Sequence, residues 1–526
     1  MNKHDFFLHC RKEKQINLPF TKYLFNNMLR FLKLLILMVL LQYSLVLSQS
    51  QYYNEQYRPQ FHFTPESKWM NDPNGLVFFN GKYNLFYQYY PDDIVWGPMH
   101  WGHSSSTDLF HWEHLPIALY PDSLGYIFSG SAVIDKNNTA GFGSNAMIAI
   151  FTYHNDSLWV KGFKNTESQG IAYSLNEGIT WRKYKNNPVL NNSGEQDFRD
   201  PKVFWNDDIK KWNMVLAVGD RIKIFSSPNL KEWTFESDFK PEEDIDSLGV
   251  WECPDLFKMK TDTEEKWVMI INHGDKTPNG GSGTRYFVGN FNGSVFNNEQ
   301  PSIWLDYGTD FYAGVTYSNI PDNKKIFIAW MSNWMYAQST PTKVWRSAMT
   351  LARELKLDAD DKEYFLRQKI VDSFDSIKTN VKMIKEVNLP YFENEIDLSQ
   401  TEILFNCDAE NLVIELSNKI KESLTIELKN KKLIIDRSRS GKIDFSERFA
   451  DKVQIMPLNE NIYNFQIILD RASIEILLND GKYSMTNIFF PNEKFRMLNI
   501  SSSEPGELEN VVINKIDRVW KDHSKN

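Results

Sequence analysis

Three acidic residues stand where a carboxylate can do chemistry. Asp72 lies in Trp69-Met70-Asn71-Asp72-Pro73-Asn74-Gly75, Asp200 in Phe198-Arg199-Asp200-Pro201, and Glu252 in Trp251-Glu252-Cys253-Pro254. Each precedes a Pro or a Cys-Pro near the start of a run that reads as a strand. Carboxylates sharing one pocket raise one another's pKa, which costs stability. The arrangement is expected where an acid and a nucleophile must coexist at one pH. Taken alone, Asn71–Gly75 reads as an ordinary surface turn. The alternative is a rigid turn that presents Asp72, with Pro73 fixing φ and Gly75 permitting φ > 0. Cys253 has no basic partner nearby in sequence, so it reads as a packing or acid-tuning neighbour of Glu252 rather than a nucleophile.

The elements that must position these groups are strands. From about Phe61 onward, short apolar and aromatic runs alternate with Gly, Pro, Asn and Asp, and Asn80-Gly81 marks a hairpin. One pattern recurs. Ser106, Asp108 and Trp112; Ser174, Asn176 and Trp181; and Ser227, Asn229 and Trp233 keep nearly the same spacing. A period of roughly 50–70 residues suits propeller blades with insertions. Each blade then ends a hairpin with the same turn and packs the same Trp on its neighbour, and the inner strands converge on an axial pocket. The stretch 358–385 is charged and turn-prone at its start, with room for a short helix, and reads as a linker. From 386 to 522 the strands alternate with period two, and Asn479-Asp480-Gly481 marks a tight hairpin, which predicts a β-sandwich. Its charged positions read as solvated faces. The expected fold is all-β, a propeller over residues 54–357 followed by the sandwich.

Composition narrows the function. Net charge is −9 with no basic block in the mature part, which argues against a nucleic-acid partner. Aromatic residues make up 14% of the chain, which favours strands and suits sugar-stacking surfaces, although most are expected in the core. Arg30 and Lys33 precede the apolar run Leu34–Leu41, and Val46-Leu47-Ser48 offers a cleavage position. Residues 1–48 are therefore expected to be a signal peptide, with Met28 a possible true start, and no stable membrane insertion after cleavage. Removal of Cys10 leaves Cys253 and Cys407, too few for a disulfide framework, so packed cores must hold the fold. No Cys/His spacing suits a metal, and neither a metal nor a cofactor is expected. Nothing in the sequence speaks to oligomeric state.

Taken together, the three carboxylate motifs resemble the signatures of glycoside hydrolase family 32, the invertases, levanases and exo-inulinases. Gln88-Tyr89-Tyr90-Pro91, Trp101-Gly102-His103, Phe128-Ser129-Gly130-Ser131, Gly280–Gly289, Trp330–Trp334 and Asp470–Glu475 are similar to further motifs of that family. The resemblance implies a five-bladed propeller joined to a sandwich, and a retaining enzyme acting on β-D-fructofuranosides. It assigns Asp72 as nucleophile, Glu252 as acid/base and Asp200 as transition-state stabiliser. Sugar contacts are implied for Trp69, Met70, Asn71, Gln88, Trp96, Phe128, Ser129 and Arg199; for Arg199 a purely structural pairing is the alternative. Trp330 and Trp334 are equal candidates for closing one side. The Gly280–Gly289 and Trp330–Trp334 stretches look closer to exo-fructanases than to plant invertases. A fructosyltransferase and a sugar-binding protein without catalysis are the competing readings.

Overall fold

The recurring Ser–Asp/Asn–Trp pattern is one turn built three times. In the computed structural model the Ser hydroxyl accepts backbone N–H groups just beyond it, as at Leu109, Gly178 and Asn229. The Trp Nε1 donates to the carbonyl three residues earlier, on Leu109, Gly178 and Leu230, at 3.1, 2.8 and 3.2 Å. All three carbonyl-bearing residues have positive φ (71°, 86° and 62°). Each turn joins the third strand of a sheet to its fourth, and Trp181 reaches Phe86 of the preceding sheet at 5.5 Å.

The structure describes residues 26–38, 53–241, 249–360 and 363–520. They belong to two units, one containing residues 26–38 and the other spanning Gln56–Trp520. Residues 26–38 form an exposed helix that carries Arg30 and Lys33. Among the described residues no helix is long and apolar enough to cross a membrane. The expected cleavage position, Val46-Leu47-Ser48, lies outside the described residues.

Within Gln56–Trp520, five antiparallel sheets form the blades of a propeller. Their first strands are Lys68–Phe79, Tyr126–Asp135, Phe198–Asn206, Trp251–Lys260 and Tyr312–Thr316. Each first strand touches the next and the fifth touches the first, closing a ring about the axis. Apolar residues fill the spaces between blades. Val203, Met214 and Leu216 of the third blade, for example, meet Ile148, Ile150 and Ile171 of the second. Two six-stranded sheets follow and pack face to face over Ile403, Ile414, Leu424, Ile467 and Ile476, making the sandwich. The Asn80-Gly81 and Asn479-Asp480-Gly481 hairpins form where expected, with φ positive at every one of these residues.

Two expectations are corrected. The stretch 358–385, expected as a linker, is largely strand: Tyr364–Ile370 pairs with Arg353–Ala359 as the outer strand of the fifth blade. A 3-10 turn at Asp372–Ile377 then leads directly into Lys378–Asn388, an edge strand of the sandwich. Nor are the sandwich charges all solvated. Asp470 and Glu475 are fully buried on either side of His62, whose Nδ1 and Nε2 lie 2.8 and 2.9 Å from them. Glu475 also accepts from Arg353 Nε at 3.2 Å, and Arg353 Nη1 reaches Asp306 at the same distance. Buried charges survive only when paired and hydrogen-bonded. The sandwich thus fixes the segment entering the first blade and the third strand of the fifth.

Candidate active site

The five inner strands share a defect. Met70 pairs with Tyr89 and Pro73 with Tyr87, so three steps on one strand match two on its neighbour. The same one-residue excess occurs between Ile127 and Gly130, Arg199 and Lys202, Glu252 and Asp255, and Tyr312 and Val315. Such a β-bulge breaks the in-out alternation and re-aims side chains. Here one such bulge lies in every blade at one end of the axis, and the first strand carries a second between Asn74 and Val77. Asn71–Gly75 is therefore not a hairpin turn but a bulged stretch of the innermost strand. Asp200, Cys253 and Ala313 carry the positive φ of three of the bulges (64°, 42° and 56°).

The bulges deliver the three carboxylates to one cavity of about 560 Å³. Asp72 accepts from Ser129 Oγ at 2.6 Å on Oδ2 and from Asn71 Nδ2 at 3.0 Å on Oδ1. Asp200 accepts the Cys253 backbone N–H at 3.0 Å. The Cys253 Sγ lies 3.6 Å from both Asp72 Oδ2 and Asp200 Oδ2, so the two carboxylates flank one sulfur. Glu252, the residue before it, accepts from Arg199 Nε and Nη2 at 3.1 and 3.0 Å on Oε1, and from the Tyr312 hydroxyl on Oε2.

Electrostatics separates these groups. Burial raises the pKa of Glu252, Arg199 opposes that rise, and the nearby Asp72 adds to it. Asp200 is also raised, by burial first and then by Glu252 and Asp72, against Arg199. Burial and the flanking carboxylates push the Cys253 thiol well up, so it stays protonated and is no nucleophile. Burial disfavours the Arg199 cation, but Glu167, Glu252 and Asp197 together outweigh it. Arg199 donates through Nη1 to Glu167 and Asp197 at 3.1 and 2.7 Å while its other nitrogens hold Glu252. Arg199 is therefore a paired ion that also lines the cavity.

The expected sugar contacts divide. Asn71, Gln88, Trp96, Phe128, Ser129 and Arg199 line the cavity with the three carboxylates. Trp69 and Met70 do not: both are 0% exposed and stand behind the wall. Trp69 acts one step removed, donating from Nε1 to Asn71 Oδ1 at 2.8 Å. Of the two candidates for the side wall, Trp334 lines the cavity, while Trp330 is buried behind it with ring centroids 4.9 Å apart. Sequence reading missed Glu167, Asp197 and Tyr312. The only signal for Tyr312 is structural: it holds the same place in the fifth bulge that Glu252 holds in the fourth. Glu167 had none; it lies in the third strand of the second blade and meets Arg199 only through the ring closure.

Comparison with known proteins agrees with this geometry. The model of the glycosyl hydrolases family 32 N-terminal domain matches residues 62–369, and that of the family's C-terminal domain matches 362–517. A levanase of Bacillus subtilis is 42% identical over 92% of this chain and 74% of its own length. The extracellular exo-inulinase inuE of Aspergillus niger is 35% identical over 89% of this chain and 96% of its own. Among solved structures, the exo-inulinase of Aspergillus awamori superposes with a TM-score of 0.78 at 34% identity, covering 89% of this chain and all of that one. The β-fructofuranosidase of Schwanniomyces occidentalis complexed with fructosyl-erythritol gives 0.77 at 31%, covering 89% and 98%. With both domain models matched end to end and the carboxylate motifs gathered at one cavity, the chain belongs to glycosyl hydrolases family 32.

Proposed function

We propose that this chain is an exo-acting glycosidase that releases terminal fructose from β-D-fructofuranosides, namely fructans and sucrose, with retention. The observation that carries the reading is the placement of Asp72 and Asp200 on either side of Cys253, with Glu252 next in the chain, in one cavity. Relatives named levanase, exo-inulinase and invertase support the fructoside class.

Asp72 attacks the anomeric carbon while Glu252 gives its proton to the departing oxygen. Water, deprotonated by Glu252, then breaks the fructosyl–Asp72 ester. This scheme needs the two carboxyls about 5–5.5 Å apart and an acid whose pKa is raised. The upward pressure on Glu252 supports that role, and Arg199 and Tyr312 hold the carboxyl as it cycles between its two forms. Ser129 and Asn71 fix the Asp72 oxygens. Asp200 accepts hydrogen bonds from sugar hydroxyls, a grip that tightens as the ring flattens toward the oxocarbenium-like transition state. Asn71 and Gln88 supply paired donors and acceptors, and Trp96, Phe128 and Trp334 supply apolar walls.

We place the division between the two modules after Ile370, where the fifth blade ends. The basic and apolar run at residues 30–41, together with extracellular relatives, supports export through a cleaved signal, and sequencing the N-terminus of protein from the medium tests it. Initial rates on sucrose, inulin and levan with the products resolved test the activity. Free fructose as the sole new product from both fructans supports the exo-hydrolase. Oligofructans accumulating at high sucrose replace it with a transferase, and no turnover on any fructoside overturns it.

A further inference from the structure

The second blade makes an excursion that adds nothing to the core. Between Ala146–His154 and Glu167–Ser174 the chain leaves the sheet, forms the short helix Asp156–Val160 and returns. The helix buries no residue. Trp159 is 61% exposed, Val160 71% and Phe163 54%. Yet Trp159 and Phe163 line the same cavity as the three carboxylates. Apolar groups clustered at the rim of a cavity and left out of the core are characteristic of a binding surface.

Both ends of the excursion are tied to the site. His154, where it starts, stacks on Phe128 with centroids 4.3 Å apart and rings 6° from parallel. Glu167, where it ends, holds Arg199 and accepts the Phe198 backbone N–H at 2.7 Å. The Asn155 N–H closes the base by donating to the Thr166 carbonyl at 2.8 Å. The Asn155 side chain caps the helix through the Leu158 N–H. Trp159 is thus carried on a short, closed loop whose feet touch a wall residue and the cation beside Glu252.

We propose that Trp159 and Phe163 form a stacking platform for the fructosyl units on the leaving-group side of the scissile bond. The inference rests on the fructoside reading of the cavity. The carboxylates and Asn71, Gln88 and Ser129 take the terminal sugar. The rest of a fructan then leaves through the mouth and crosses the rim. At about 560 Å³ the cavity falls within the ~300–1,000 Å³ range of sites that hold multi-ring ligands. Aromatic side chains give a sugar ring large contact area at low conformational cost, and Trp159, whose ring meets His154 at a tilt with centroids 6.4 Å apart, remains mostly exposed to give a face.

The test compares Trp159→Ala and Phe163→Ala with the wild type on sucrose and on fructan oligomers of increasing length. For each variant, kcat/KM on long oligomers relative to sucrose falls about tenfold, mainly through KM, the size expected for losing part of one aromatic face. Trp159→Phe restores most of the ratio, and the melting temperature is the reference for an intact fold. An unchanged ratio overturns the platform. Direct binding separates this outcome from failure of the activity reading. Calorimetry with the Asp72→Ala protein should show affinity for fructan oligomers rising with length, and Asp72→Ala/Trp159→Ala should lose that rise. If the wild type turns over no fructoside, the activity reading fails, and the calorimetry alone decides the platform. Length-independent affinity, or no binding, overturns it.

Discussion

Arg199 is the residue through which the site's charges are set. It donates twice to Glu252 and also pairs with Glu167 and Asp197. Arg199→Met removes the cation that favours the ionised forms of Glu252 and Asp200. A hydrogen bond to a charged group contributes about 1.5–3 kcal/mol. At about 1.4 kcal/mol per pKa unit, even the lower figure corresponds to roughly one unit. The sign is the same for both carboxyls: without the cation each holds its proton to higher pH. In the free enzyme the alkaline limb of kcat/KM reports the acid, here Glu252, and the acidic limb reports groups that must be ionised. The alkaline limb, set by Glu252, therefore moves upward by about one unit. The variant also leaves Glu167 buried without its cation, with half-buried Asp197 beside it, which costs about 3–5 kcal/mol of stability. Arg199→Lys keeps the charge but loses the fork, so its profile stays near wild type while its rate falls. The assay is kcat/KM for sucrose from pH 4 to 9, with melting temperatures at each pH. An alkaline limb that stays in place or moves downward in a folded Met variant refutes the assignment of Glu252 as acid under Arg199 control.

Three further outcomes follow from the geometry. Asp72→Ala should lower turnover by about 10⁴-fold or more. Its melting temperature should not fall, because one of three crowded carboxylates is gone; substantial residual activity sinks the nucleophile assignment. Glu252→Gln should lose most of its rate on sucrose but much less on an aryl fructoside whose leaving group needs no proton, and an unchanged sucrose rate counts against it as the acid. His62→Gln tests the joint between the modules. Burial pushes the His62 imidazole down, but hydrogen bonds to Asp470 and Glu475 outweigh it and raise the pKa to about 9. A raised pKa gives stability that is complete below the unfolded value near 6.5 and lost as pH climbs through about 9. That 2.5-unit difference corresponds to about 3 kcal/mol. Wild-type stability should decline across this window, and the variant should start lower and stay flat; a variant that keeps the wild-type slope refutes the link to His62.

What the sequence determined by itself was local chemistry. The Ser–Asp/Asn–Trp turns were legible because their hydrogen bonds join residues a few positions apart. The two Asn-rich hairpins were legible because Gly and Asn mark positive φ. The carboxylate motifs stood out because Pro and Cys beside an acid is an unusual setting, and family resemblance then gave each a role. The tertiary structure alone decided what depends on separations of tens to hundreds of residues. Asn71–Gly75 has turn composition, yet pairing with Lys82–Tyr90 makes it a bulged inner strand. Asp470 and Glu475 alternate like solvated strand residues, yet His62 and Arg353, over a hundred positions or more away, draw them into the interior. Trp330 and Trp334 are indistinguishable in a five-residue motif, and only ring closure turns one toward the cavity. Glu167 carries no local mark at all. Its partnership with Arg199 exists because two blades meet, and a charge buried between blades is readable only once its partner is in place.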